Sequence, residues 1–118
     1  MNTLIIGNQT ADERRQAILR AVRSREPEPA ARLDFDSLDE AWRLLSDKRR
    51  GIMSAMAGAG PLAIREIARR VGRDVRAVHS DVQVLLRAGV IDRTEDGRVA
   101  LPYDTIRFEF TFATRHAA

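Results

Sequence analysis

The stretch "IARRVGRDVRAVHSDVQVLLRAGV", residues 67–90, decides how this chain reads. Ile64, Ile67, Ala68 and Val71 recur at helical spacing up to Gly72, which predicts a helix over 64–71 with a sharp exit at the glycine. Asp74 then offers an N-cap for a second helix, 75–88. Val75, Val78, Val82, Leu85 and Leu86 form the apolar stripe of that helix, and Gly89 closes it. Five arginines (65, 69, 70, 73 and 76) crowd this junction against Glu66 and Asp74. A tight turn between two steeply crossing helices needs small residues, and Ala68 and Gly72 supply them.

Upstream, "SDKRRGIMSAMAGAG" predicts a helix from about 47 to 57. Its inward residues are Ile52, Met53, Met56 and Ala57, and "GAGP" ends it. Before it, "SLDE" (37–40) is spaced as a capping box and opens a short helix carrying Leu38, Ala41, Trp42 and Leu45. Trp42 could stack on a base, but its helical spacing favours packing. Downstream, Asp96-Gly97 lies between two strand-like runs, 90–94 and 98–101, and marks a hairpin.

The two ends add strands. "TLIIG" (3–7) is a short apolar strand, and Thr10 with Glu13 caps a helix over 11–24 whose apolar side is Ala17, Ile18, Ala21 and Val22. "SREPEPAAR" (24–32) reads as a linker because of its prolines. "TIRFEFTF" alternates strictly. It puts Ile106, Phe108, Phe110 and Phe112 on one face, predicted buried, and Arg107, Glu109 and Thr111 on the other. The terminal strands are candidates to pair with each other or across a dimer, and the apolar face of the second to pack under the helix at 11–24.

At 118 residues, one folded body is the default, and 44% hydrophobic content can supply its core. No apolar run reaches the roughly 18 residues of a membrane span, and "MNTLIIG" is too short for a secretory signal, so a cytoplasmic, membrane-free protein is expected. With no cysteine, thiol catalysis, disulfides and thiolate zinc sites are excluded. The net charge is only +3, yet nineteen of the twenty basic residues are arginine. A GC-rich genome explains that bias as well as phosphate recognition does, so its distribution carries more than its total. Residues 1–36 balance six arginines with six acids, whereas the excess is local to 65–76.

Three helices followed by a hairpin describe an α+β fold. It is a winged helix-turn-helix with a three-helix core and a β-hairpin wing, plus an N-terminal strand–helix extension and a C-terminal strand. Residues 1–33 would form the strand, helix and linker, a candidate dimerisation element, and 34–118 the DNA-binding domain. With the stripe of the 75–88 helix turned inward, Arg76, Ser80, Gln83 and Arg87 point outward, flanked by Ala77 and Val84. That face suits base edges in a major groove. Arginine can grip guanine with two hydrogen bonds, glutamine can grip adenine, and alanine can touch a thymine methyl. Such helices read mainly with their N-terminal half, which puts Arg76, Ala77 and Ser80 first. Arg73 at the turn, Arg65 and Arg69 on the preceding helix, and Arg93 and Arg98 flanking the hairpin are candidates for the phosphate backbone or an adjacent minor groove. His79 reads as a packing or phosphate-contact residue, not a metal ligand. His116 lies in the C-terminal tail, and Asp81 is expected to pair with a nearby arginine. No serine, histidine and carboxylate set has catalytic spacing and no glycine-rich phosphate loop occurs, so neither an enzyme nor a cofactor is expected.

"FDSLDEAWRLLSDKR" (35–49), "LAIREIARRVGRDVRAVHSDV" (62–82), "LLRAGVI" (85–91) and "VALPYDTI" (99–106) resemble the small MarR-like winged-helix regulators of prokaryotes. More narrowly, they resemble predicted regulators first noted in haloarchaea and often encoded beside a toxin. The resemblance covers about 34–112. It implies binding of double-stranded DNA as a homodimer, often at the regulator's own promoter. It also implies an alternative role as an antitoxin; the apolar strands "TLIIG" and "TIRFEFTF", read from the residues, are then the candidate surface for a toxin. One departure stands out: such regulators usually open the 64–71 helix with serine or threonine, and here Ala63 stands there. A cap worth about 1 kcal/mol is missing, together with a hydroxyl that could hold a phosphate.

Overall fold

A computed structural model describes residues 2–25 and 30–114. The prolines at 27 and 29 and His116 lie outside the described residues. The fold is α+β, in the order β1 (Thr3–Gly7), α1 (Ala11–Ser24), β2 (Ala31–Asp34), α2 (Leu38–Leu44), α3 (Asp47–Met56), α4 (Ile64–Val71), α5 (Val75–Ala88), β3 (Asp92–Arg93), β4 (Val99–Ala100) and β5 (Thr105–Glu109). No described helix is long and apolar enough to cross a membrane.

Local chemistry sets the helix boundaries. Thr10 and Glu13 complete a reciprocal capping box on α1, Ser37 and Ser46 cap α2 and α3, and the Asp74 carboxylate accepts from the amides of Arg76 and Ala77 at the start of α5. Ala63 provides no side-chain cap for α4. Gly72 ends α4 at φ 68°, a left-handed conformation in which a side chain would be strained. This lets the chain turn within Arg73 and Asp74 and restart as α5.

One core joins the chain from end to end. Ile52, Met53 and Met56 of α3, Ile67 and Ala68 of α4, and Val78, Val82 and Leu85 of α5 are buried together with Ala41 and Leu45. Leu4 and Ile6 of β1 enter the same cluster, as do Val90, Ile91 and Val99 around the β3–β4 hairpin. Leu62 exchanges backbone hydrogen bonds with Val99 at 2.8 and 2.9 Å, tying the hairpin to the start of α4. Two of the inward assignments fail at helix ends. Val75 is 44% exposed because the first turn of α5 runs past the edge of the core. Ala57 is exposed because it is the C-cap of α3, already out of helical geometry.

The terminal strands do pair with each other. β1 lies between β2 and β5 in a three-stranded sheet, parallel on both sides, with Leu4 opposite Ala31 and Ile106, and Ile6 opposite Leu33 and Phe108. β2 begins in the last two residues of the stretch read as linker and runs two residues beyond it. Its four residues, ARLD, carry too little apolar content to announce a strand, and its pairing with β1 creates it. The residue-33 boundary between an N-terminal unit and the rest therefore falls inside a strand. Gly7 is required at its position because a Cβ there would run into the Glu109 carbonyl oxygen and lie 3.0 Å from the Arg32 guanidinium.

The sheet has two unlike faces. Leu4, Ile6, Leu33, Ile106 and Phe108 share the face turned to the helical core, by register. Arg32, Asp34, Arg107 and Glu109 share the other face with Ile5 and Gly7. Arg32 holds Asp34 through two hydrogen bonds at 2.9 and 3.0 Å, and both side chains are largely buried. Burial pushes the Asp34 carboxyl up, but hydrogen bonds from Arg32 and the Gln9 amide outweigh it and hold it below the usual carboxylate range.

That polar face explains two corrections. α1 buries no residue: Ala17 and Ala21 are half-buried, whereas Ile18, Leu19 and Val22 are exposed. There is little apolar surface for its stripe to cover. The C-terminal strand does not pack under α1 either. Phe108 and Phe110 lean on Trp42, with ring centroids 6.3 and 5.8 Å away. Phe110 and Ile106 are half-buried against the core, but Phe108 and Phe112 stay exposed, because β5 is an edge strand that the helical body covers only in part.

Candidate nucleic-acid interface

The α4–turn–α5 unit places the predicted residues unequally. Val78, Val82 and Leu85 have zero exposure, which fixes the rotation of α5. Arg76, Ala77, Ser80 and Arg87 are then exposed on the opposite stripe, with Gln83 and Val84 half-buried along its margin. The N-terminal half of α5 therefore presents a charged guanidinium, a methyl and a hydroxyl to solvent. Its N-cap, Asp74, spends its carboxylate on two backbone amides.

The arginines of the junction divide into paired and unpaired. Arg69 and Arg70 both bond Glu66, at 2.9 and 3.0 Å through their Nε atoms, and these bonds hold the Glu66 carboxyl at about 2. Arg73 donates to Asp81 at 2.8 Å and is only 21% exposed. Asp81 also accepts from Arg49 of α3 at 3.0 Å, while the other arm of Arg49 bonds the carbonyls of Arg43 and Leu44. One aspartate on α5 thus braces α3, the α2–α3 junction and the turn. Asp81 does pair with arginine, twice. Arg49 was missed as a partner because 32 residues separate it from Asp81, beyond any local spacing rule.

At the hairpin, Arg98 is fastened to Asp96 at 2.7 Å. That bond, with the Thr94 hydroxyl, holds Asp96 well below the usual carboxylate range. Arg65, Arg76, Arg87 and Arg93 form no ion pair among the described residues and are all exposed. His79 is exposed and alone, and no group of three histidines or carboxylates suited to a metal occurs among the described residues. A cleft of about 490 Å³ lies between α3 and the segment leading to β5, where Arg50, Met53, Tyr103, Asp104, Ile106 and Phe108 line it.

A protein-family match spans residues 44–108, more than half of the chain. The chain belongs to the HVO_A0114 family. The HVO_A0114 match runs from the end of α2 into β5, so it takes in the whole α3–α5 unit, the β3–β4 hairpin and the Asp81 brace. No curated protein and no solved structure matches the chain.

Proposed function

We propose that this chain is a sequence-specific DNA-binding transcriptional regulator of the MarR-like winged-helix kind, acting as a two-fold dimer. In this reading α3, α4 and α5 form the helix-turn-helix core and β3–β4 the wing. The observation that carries it is the split character of α5. One stripe is sealed into the core, and the other offers Arg76, Ala77, Ser80 and Arg87 to solvent with no acidic residue among them. A major groove admits a helix with such a face, and the side chains match the donors and methyl contacts that base edges accept. Arg65 and Arg93, exposed and unpaired, are the phosphate contacts best supported. Arg69, Arg73 and Arg98 have their charge compensated by neighbouring carboxylates, so they add less to backbone attraction.

Selection from random duplexes followed by fluorescence anisotropy tests this. Arg76→Ala is expected to weaken the selected duplex by about 1–3 kcal/mol, or roughly 5- to 150-fold, and a scrambled duplex by much less. Arg93→Ala is expected to weaken both about equally. With Arg65, Arg76, Arg87 and Arg93 as the available cations, log K should fall against log salt with a slope no steeper than about −4 per copy. Equal losses on both duplexes for Arg76→Ala would remove α5 from base reading. Absence of any salt-dependent binding would remove DNA.

A further inference from the structure

β5 is an edge strand whose outer side is unoccupied. Unpaired amides and carbonyls on such an edge form a template for another strand. Two hydrogen bonds fix which groups are free: Thr105 donates its amide to Asn2 at 3.2 Å, and Thr111 donates its amide to Asn8 Oδ1 at 3.0 Å. Both point towards β1. Successive residues of a strand alternate, so the amides and carbonyls of Ile106, Phe108 and Phe110 face the open edge.

The side chains along that edge complement a reversed copy of themselves. Turn a second β5 antiparallel about a two-fold axis through Phe108. Phe108 then meets the partner's Phe108, Ile106 meets the partner's Phe110, Arg107 meets the partner's Glu109, and Thr105 meets the partner's Thr111. Residues 106, 108 and 110 fall in the hydrogen-bonded pairs, where free groups exist on both strands. Arg107 and Glu109 fall in the non-bonded pairs, where side chains come closest. In one copy Arg107 and Glu109 pair along the strand at 3.0 Å, 59% and 45% exposed, and an ion pair so exposed adds little stability. Two copies would place four such charges in alternation. Meanwhile Phe108 and Trp42, each 42% exposed, and Phe112, 79% exposed, supply apolar area that one copy leaves uncovered.

The other edge, β2, also carries an arginine and an aspartate. There, however, Arg32 is held by Asp34, at 12% and 14% exposure, and reaches Glu109 of the same chain at 3.7 Å, and no large apolar side chain of β2 is exposed. We infer that the occupant of the β5 edge is a second copy of this chain, paired antiparallel with Phe108 on the two-fold axis to give a continuous six-stranded sheet. The inference rests on the two-copy part of the reading above and assigns its contact surface. It does not depend on DNA.

The chain has no cysteine, so introduced thiols report cleanly. Arg107→Cys and Glu109→Cys chains are co-expressed, and each is also made alone. In this register the two introduced thiols lie across a non-bonded pair with Cα atoms about 4.5 Å apart, within disulfide reach. Mild oxidation should cross-link up to about half of the mixed sample, the share that random pairing puts in mixed dimers, and little of either single sample. A third chain, Ile18→Cys, reports a contact through α1. All three positions are exposed, and far-UV circular dichroism checks that each chain folds. Sedimentation velocity of the unsubstituted chain should show a dimer at tens of micromolar. The inference is overturned by a monomer at that concentration, by cross-linking no better in the mixture than in the single samples, or by cross-linking that favours Ile18→Cys. A monomer or an α1-linked dimer that still selects duplex DNA would sink the β5 contact and leave the DNA reading standing.

Discussion

Asp81→Ala is the substitution that most directly probes how the helical unit is braced. The carboxylate accepts from Arg49 at 3.0 Å and from Arg73 at 2.8 Å, and all three side chains are between 14% and 23% exposed. A charge-assisted hydrogen bond contributes about 1.5–3 kcal/mol, and breaking a fully buried pair by removing one partner costs about 3–5 kcal/mol. Residual exposure lets water screen the two stranded guanidiniums, and Arg49 keeps its carbonyl bonds to residues 43 and 44. Arg73 has no such refuge, since its Nη1 is already buried without a partner. A loss of about 2–3 kcal/mol follows. For a chain of this length each kcal/mol moves Tm by about 3–5 °C, so Tm should drop by roughly 6–15 °C. Urea denaturation followed by circular dichroism at pH 7 measures the loss, with an unchanged slope showing that the unfolded state is not at issue. A cycle with Arg73→Met should return a coupling of about 1–2 kcal/mol. A loss below about 0.5 kcal/mol, or no coupling, would refute the brace and make Asp81 an ordinary surface residue.

Three further outcomes are expected. Ala63→Ser should stabilise the chain by about 1 kcal/mol, read as a higher urea midpoint, because its hydroxyl can accept an amide that the first turn of α4 leaves without a side-chain cap. Gly7→Ala should cost about 1–3 kcal/mol in the same assay, since the added methyl must push the β5 carbonyl away from β1; a neutral result would mean the β1–β5 register is wrong. Glu66 is held at about 2 against an ordinary 4.5, so its stabilising pairing is fully present above about pH 4.5 and is lost as pH falls through about 2. The urea midpoint should decline across that window, and Glu66→Gln should flatten the decline; an identical acid limb in both proteins would dismiss the pairing.

The helical elements were legible because their signals are local. Thr10 and Glu13, Asp74 at the head of α5, and Gly72 and Gly89 at the helix ends act within four residues, and each sits where the spacing put it. The stripe of Val78, Val82 and Leu85 was legible for the same reason. What stayed hidden was set by partners far along the chain. β2 exists because β1 offers it a ladder, and the Arg49–Asp81–Arg73 brace joins three segments with no common period. Periodicity also overstated burial. It correctly found an apolar face on α1 and on β5, but it could not tell that the facing surfaces are narrow or polar. Val75 and Ala57 failed more simply, because a stripe drawn to the end of a helix runs beyond the core that the helix meets.

The parallel sheet gives these observations a common cause. All-parallel sheets are normally covered on both faces, because unpaired apolar surface on either would be exposed. Here the apolar burial is on the Leu4–Ile6 face, and the other face carries Arg32, Asp34, Arg107 and Glu109 around a single isoleucine. The sheet is therefore a clasp on the helical body and not a second core. β1 joins that core directly, while β2 and β5 flank it as edges. That arrangement pulls the two ends of the chain to one sheet without drawing α1 inward. The solvent stripe of α5 is left clear, because its buried residues already meet α3, α4 and the hairpin in the same cluster.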